Sequence, residues 1–334
     1  MDHIQLAAVG TGPLAREFLC TCEEVGFAVH GIWSTENTRV QAARIARECG
    51  LDGVYSSFEE LLKDEQVNTV YFSMTRQPYY DFAKEALKAG KHVLLEPEFT
   101  TCYEHARELY ELARSNDCII FEPITYRNAE TWDLLKKSIS KLGHIRLVHV
   151  STSLLSTRIA ESGFYEESGK GEGGEQPGLL KLNLRNLSFL MGLFGRPIHF
   201  DYYANKKNGV DTSGVMVLRY PGFLATAAAS RDSLGINSFI IQGSHGFIRS
   251  PENPYSFHAF DVVMVSGAEH VVPLNHNNRK LGSELRLFRH MVKDKNVQLM
   301  AQRVEQKLEI LEVLDIACRK VGISVPETRP EIVD

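Results

Sequence analysis

Six residues near the amino terminus have the makings of a phosphate cradle. Gly10-Thr11-Gly12-Pro13-Leu14-Ala15 places small residues at its first, third and sixth positions. In a strand-to-helix junction the first glycine takes the sharp turn and the second leaves the backbone open to an anion. The helix start then offers unsatisfied N–H groups and a positive dipole end. A structural turn alone gives the same letters, so placement decides. Residues 4–9 read as a buried strand, and 13–25 as a helix with Leu14, Phe18, Leu19 and Cys22 on one stripe. That placement makes Gly10, Thr11, Gly12, Pro13 and Leu14 candidate contacts of a dinucleotide, NAD or NADP. Ser34 follows the next strand about 20 residues past the glycines, where an adenosine ribose is read. An acid there favours NAD and a nearby arginine NADP. Ser34 is neither, and Glu36 and Arg39 pull in opposite directions or are plain helix-start charges, so the preference stays open. Ser73 and Glu96 end two further strands at the same edge and complete the cofactor candidates.

A second group carries proton-transfer chemistry. Lys181, Arg185 and Ser188 fall at i, i+4 and i+7 of a helix over 179–194, so they share one face. Arg185 has the fork that holds a carboxylate or phosphate in bidentate fashion. A neighbouring cation lowers the pKa of Lys181 toward that of a proton carrier. The alternative is a solvated face with two ordinary charges. Tyr79 and Tyr126 each lie just past a strand end and are the other proton-donor candidates, set against core or stacking roles. Glu96 and Glu98 either bind substrate hydroxyls or cap the next helix. No metal site is expected: the six cysteines form no CxxC pair and no HExxH occurs. The thiols are expected to be reduced and to act as small apolar residues.

The elements that must hold these groups alternate over the first third of the chain. Strands at 4–9, 27–33, 68–73, 92–96 and 118–121 are interleaved with helices at 13–25, 38–49, 79–89 and 103–115. This predicts α/β architecture: an N-terminal Rossmann-type, doubly wound parallel sheet over residues 1–122. Beyond it, a helix at 129–139 precedes strands at 146–154, 198–204, 215–220, 223–230, 238–242 and 260–265. Helices at 284–292 and 297–321 close the chain. Short turns between strands predict a C-terminal α+β domain, 123–334, with a large open, mainly antiparallel sheet. The Gly- and Glu-rich stretch 161–178 reads as a lid or as a plain connection. The charge balance, 37 basic against 42 acidic side chains, argues against a nucleic-acid partner. No apolar run is long enough for a membrane span and no basic leader opens the chain, so a cytoplasmic protein is expected.

With these residues in place, the sequence resembles the glucose–fructose oxidoreductase and inositol dehydrogenase family (Gfo/Idh/MocA). The resemblance is carried by Gly10-x-Gly12-x-Leu14-Ala15-x-x-Phe18 and by Ala86-Leu87-Lys88-Ala89-Gly90-Lys91-His92-Val93-Leu94-Leu95-Glu96. Tyr126-Arg127 and Gly192-Leu193-Phe194-Gly195-Arg196-Pro197 add to it. It implies NAD(P)-dependent oxidation or reduction of small sugars, polyols or related carbonyls. It also implies a homodimer or homotetramer through the open sheet, and a Glu96 near the nicotinamide ribose. Three motif positions depart from the family pattern. Glu96-Pro97-Glu98 replaces Glu-Lys-Pro, which removes the lysine. Lys181 and Arg185 stand where the family has an aspartate and a histidine. Thr75-Arg76-Gln77-Pro78-Tyr79 replaces Pro-Asn-x-x-His. Two readings follow. One is an oxidoreductase with altered acid–base residues, Lys181 standing in for the missing lysine on a small, anionic substrate. The other is a catalytically degenerate nucleotide-binding sensor or interaction protein.

Overall fold

The computed structural model describes residues 4–12, 14–74, 79–96, 99–123, 129–155, 182–207, 209–254, 257–273 and 280–323. The chain divides into two compact units, the first formed by Met1–Thr125 with Asn278–Gln306, the second by Tyr126–Asn277 with Lys307–Asp334.

In the first unit, β1 (Ile4–Val9), β2 (Phe27–Trp33), β3 (Thr69–Phe72), β4 (His92–Leu95) and β5 (Ile120–Phe121) form a parallel sheet in the order β2-β1-β3-β4-β5. The intervening helices are α1 (Ala15–Thr21), α2 (Arg39–Glu48), α3 (Phe58–Lys63), α4 (Tyr79–Lys88) and α5 (Tyr103–Ser115). β3 is buried at every position, and β1 and β4 at all but one each, because a parallel sheet is covered on both faces. α1 is shorter than its stripe suggests. It stops at Thr21, and Gly26, at φ +77°, turns the chain into β2. The strand order reverses between β1 and β3, and open α/β sheets bind ligands at such a point.

The second unit begins with α6 (Ala129–Ile139) and β6 (Ile145–Ser153), followed by α7 (Leu184–Phe194). Seven strands complete its sheet: β7 (His199–Lys207), β8 (Val210–Tyr220), β9 (Phe223–Ser230), β10 (Ser238–Gly243), β11 (Gly246–Ser250), β12 (Ala259–Met264) and β13 (Glu269–Pro273). The order is β13-β12-β11-β10-β6-β9-β8-β7. Every pair is antiparallel except β6 with β9, which is parallel with Leu147 opposite Leu224. The period of two sorts the side chains. Val148, Val150, Ala225, Ala227, Met216 and Leu218 are buried on one face, while Tyr203, Val215 and Leu224 are exposed. α7 is tied to the sheet by Asn186, which donates to the Ala228 carbonyl (2.9 Å) and accepts from Thr152 Oγ1 (2.8 Å). Strands β11 and β13 were not expected. β11 alternates buried and outward residues, but two of its three buried positions are Gly246 and Ser250, so the sequence shows little apolar run; four of the five residues of β13, Glu-His-Val-Val-Pro, are exposed, so it shows no core pattern.

The last elements are α8 (Lys280–Lys293) and α9 (Val297–Lys320). Residues 278–306 belong to the first unit. There Phe288 meets Phe27 and Phe121, at ring-centroid separations of 6.3 and 5.5 Å, and Met300 Sδ accepts from the Ile120 N–H (3.3 Å). Arg303 reaches Glu284 (2.5 Å) and covers the Phe121 ring at 4.6 Å. Among the described residues no helix is long and apolar enough to cross a membrane.

The expectation of reduced thiols is corrected at two positions. Cys20 and Cys49 form a disulfide, their Cα atoms 4.8 Å apart. Cys20 lies within α1 and Cys49 caps the end of α2, so two helix ends meet that are 29 residues apart in sequence. That separation hides the pair from any local motif. The other four are buried thiols. Burial pushes Cys22, Cys102 and Cys318 up to about 12 and Cys118 to about 11, so all four stay protonated.

Candidate cofactor site

β1 delivers Gly10 to the reversal point of the sheet. Its φ of +91° is the left-handed turn that glycine alone takes without strain, and its N–H donates to the Trp33 carbonyl at the end of β2 (2.8 Å). The Gly12 N–H donates to the Ser73 carbonyl just past β3 (2.8 Å). The loop is therefore fastened to both neighbours of β1. A Cβ on Gly10 would lie 2.3 Å from the Ser73 carbonyl oxygen, and one on Gly12 would lie 2.6 Å from Ser73 Oγ. Both glycines are thus required by how closely the end of β3 passes the loop. Thr11 and Gly12 remain partly exposed, and Ala15 is fully buried where α1 starts. A backbone cradle with no room for side chains, at a sheet switch point, fits the pyrophosphate of a dinucleotide.

Glu96 completes the site from the end of β4. Its carboxylate accepts hydrogen bonds from Tyr71 Oη (3.0 Å) and from Ser73 Oγ. Burial nevertheless outweighs these bonds and raises its pKa from the ordinary carboxylate value. Tyr71, raised far above the usual phenol range by burial, stays neutral, its ring stacked on Phe18 of α1 at 3.7 Å. Tyr71 was missed from sequence. The signal was there: it lies two residues before Ser73, so the period of two sends both side chains to one face of the strand.

The remaining candidates fall into three groups. Ser34 is buried with its hydroxyl on the Thr35 carbonyl (3.3 Å), and Arg39 is exposed at the start of α2 with Nη1 3.5 Å from the Ser56 carbonyl. Tyr79 is buried, its ring against Phe72 (5.7 Å) and Phe99 (6.1 Å), as a core residue would be. Arg185 is half-buried in the first turn of α7, whereas Ser188 turns its hydroxyl back to the Leu184 carbonyl (2.8 Å) and is buried. On the face that Arg185 and Ser188 share, Arg185 is therefore half-buried and Ser188 buried. Pro13, Tyr126 and Lys181, together with Pro97, Glu98 and the loop 161–178, lie outside the described residues. The structure brings together Gly10, Gly12, Leu14, Ser73 and Glu96. No cluster of three or more metal-ligating side chains occurs among the described residues.

Comparison with known proteins supplies the frame for this geometry. Residues 4–123 match the GFO_IDH_MocA model, described as an oxidoreductase family with an NAD-binding Rossmann fold. The chain is 23% identical over 336 residues to a scyllo-inositol 2-dehydrogenase (NADP(+)) of Bacillus subtilis (strain 168), covering 97% of this chain and 98% of that one. Among solved structures, a 3-ketoreductase from Actinomadura kijaniata in complex with NADP and TDP-benzene matches at a TM-score of 0.76 and 18% identity, over 96% of this chain and 98% of the other. A UDP-N-acetylglucosamine 3-dehydrogenase from Acidithiobacillus ferrooxidans matches at 0.74 and 17%, over 97% and 98%. The two solved structures share the fold.

Proposed function

The chain belongs to the Gfo/Idh/MocA oxidoreductases, and on that premise we propose that it transfers hydride between NADP(H) and a small, anionic sugar-, polyol- or other carbonyl-type substrate. The observation that carries this reading is the Gly10–Gly12 cradle, locked to Ser73 at the switch point of the sheet. When bound, the nicotinamide supplies the hydride, and the chain's own residues position groups and move the proton. The preference for NADP rests on Ser34, which puts no carboxylate where one would repel a 2′-phosphate, and on the exposed Arg39 guanidinium five residues further on. The Bacillus relative, named for NADP(+), supports it. Lys181 takes the proton-carrying role that Pro97 cannot fill, and Arg185 holds the anionic group of the substrate.

Titration of the purified protein with NADPH and NADH tests the cofactor half. Micromolar binding with NADPH at least about tenfold tighter is expected from one gained charge-assisted contact. Equal affinities would overturn the preference, and no binding by either would overturn the reading. A carbonyl screen with NADPH tests the chemistry. Lys181→Ala should lower turnover by about 10²–10⁴, the usual worth of a general acid–base group. Full turnover in that variant would remove Lys181 from the mechanism. Tight NADPH binding with no turnover across the screen would point instead to a nucleotide sensor, the reading favoured by Pro97, Lys181 and Arg185 replacing three family positions at once. Tyr203, Val215 and Leu224, exposed on a sheet face that no other described element covers, support a homodimer or homotetramer through that face. A monomer by sedimentation at micromolar concentration would exclude it.

A further inference from the structure

The Cys20–Cys49 disulfide joins the far ends of two helices whose near ends serve the candidate cofactor site. The glycine loop runs directly into α1, and residues 34–38 lead directly into Arg39 and α2. At 1.5 Å per residue, the bond lies about 8 Å along α1 from Ala15 and about 15 Å along α2 from Arg39. It therefore fixes the angle between the helices at the end away from a ligand. Two further links tie α2 to α1 and its loop: Arg16 to Glu48 (2.6 Å), and the Gln41 amide to the Thr11 carbonyl (3.4 Å). Both are open to solvent, where such links hold little on their own. The disulfide too is within reach of solvent, since Cys20 is exposed and Cys49 half-buried, and an exposed disulfide is the labile kind. Its reduction leaves no orphan: Cys49 Sγ lies 3.6 Å from the Arg16 carbonyl oxygen, an acceptor for the freed thiol. Cys22, two residues from Cys20, is buried and held protonated, so it takes no part in thiol exchange.

We propose that Cys20–Cys49 is a reversible redox staple that sets the affinity of the dinucleotide site. The thiolate of a dithiol reductant attacks the exposed Cys20 sulfur, forms a mixed disulfide there and releases Cys49 as a thiolate, which takes up a proton. The reductant's second thiol then displaces Cys20 and closes the reductant's own disulfide. Two electrons and two protons pass from the dithiol to the protein. Closed, the bond holds α1 and α2 at one angle, so the glycine loop and the segment that leads into Arg39 stand ready for one ligand. Open, the dinucleotide must order them as it binds, and affinity falls. This inference rests on the nucleotide-binding reading above and adds to it a control by thiol redox state.

The test is calorimetric titration of the full chain with NADP⁺, which has no hydride to give the bond, after equilibration in buffers of oxidised or reduced dithiothreitol. Thiols labelled after denaturation should number four in the oxidised protein and six in the reduced one. The reduced protein should bind about three- to tenfold more weakly. By linkage, saturating NADP⁺ must make the bond harder to reduce by the same factor, a shift of its midpoint by about 15–30 mV to more negative potential. The double variant Cys20→Ser with Cys49→Ser should bind like the reduced wild type, with one Kd in both buffers. Equal Kd values for oxidised and reduced wild type would overturn the proposal and leave nucleotide binding intact. So would six thiols in the oxidising buffer, or a double variant that responds to dithiothreitol as wild type does. No binding by either form would overturn the nucleotide reading and this proposal with it. Should the double variant fail to fold, the midpoint shift in wild type decides, and a midpoint that NADP⁺ does not move overturns the staple.

Discussion

The two units bury their sheets differently, and the chemistry follows the difference. In the first, β1, β3 and β4 are covered on both faces, and function is confined to the strand ends. Backbone geometry does the work there: Gly10 and Gly12 stand where the end of β3 leaves no room for a side chain. In the second, one face of an eight-stranded sheet carries α7 and the other, among the described residues, is uncovered, with a cavity of about 440 Å³ lined by Ser151, Ser153, Tyr203, Asn205, Ser213 and Ser230. A doubly covered sheet fixes a site by sterics. A half-covered sheet leaves a surface whose occupant is chosen by side chains. Changes in the first unit should therefore act on binding and on folding together, and changes on the bare side of the second should do little to either.

The largest effect expected is on the disulfide. Opening Cys20–Cys49 by Cys49→Ser should cost about 3.5 kcal/mol, from the entropy of a loop closed across a separation of 29 residues. Chemical denaturation of oxidised and variant protein measures it, and an unchanged midpoint would mean that the helix ends are held by packing alone. The next effect is acid-linked. Burial lowers the His92 pKa to about 4. Between the unfolded value near 6.5 and this folded value, the unfolded chain binds a proton that the native one refuses, so stability is full above pH 6.5 and falls as pH falls. The loss should reach about 3 kcal/mol near pH 4. His92→Asn should flatten this part of the stability–pH curve, and a curve of unchanged slope would assign the loss to other groups. Gly12→Ala comes third. Relieving its 2.6 Å approach to Ser73 Oγ should cost about 1–3 kcal/mol, read as roughly 10–100-fold weaker NADPH binding. Wild-type affinity in that variant would show that β3 yields, and would break the claim that sterics set this site. The smallest belongs to the second unit. Arg249 pairs with Asp261 (2.9 Å) and Glu269 (3.4 Å) across neighbouring strands, half-exposed, and Arg249→Ala should cost at most about 1 kcal/mol. A larger loss of Tm would show that this edge of the sheet is more tightly coupled than its exposure implies.

What the sequence made legible tracks the same contrast. The five strands of the first unit were readable because double burial writes continuous apolar runs, and glycine at a strand–helix junction has few uses. Gly10, Gly12, Ser73 and Glu96 were found that way and do meet. Tyr71 was not found, although its spacing of two from Ser73 places both side chains on one face of the strand. The second unit was readable as a mainly antiparallel sheet, but not as one with β6 and β9 parallel at its centre, since pairing partners 77 residues apart carry no local mark. Ser188 keeps its place on the face of Arg185, but its hydroxyl bonds to the Leu184 carbonyl within the helix, a partner that its spacing does not announce.

The first unit is also discontinuous, and that sets an order of events during synthesis. Phe288 and Met300 fill its core beside Phe27, Phe121 and Ile120, yet they leave the ribosome only after the whole eight-stranded sheet has been made. Until then the nascent glycine loop sits on a sheet with an open apolar flank. The amino-terminal half must therefore wait, partly folded and sticky, for about 150 residues of other structure to emerge before it can close, a delay of roughly ten seconds or more at ordinary elongation rates.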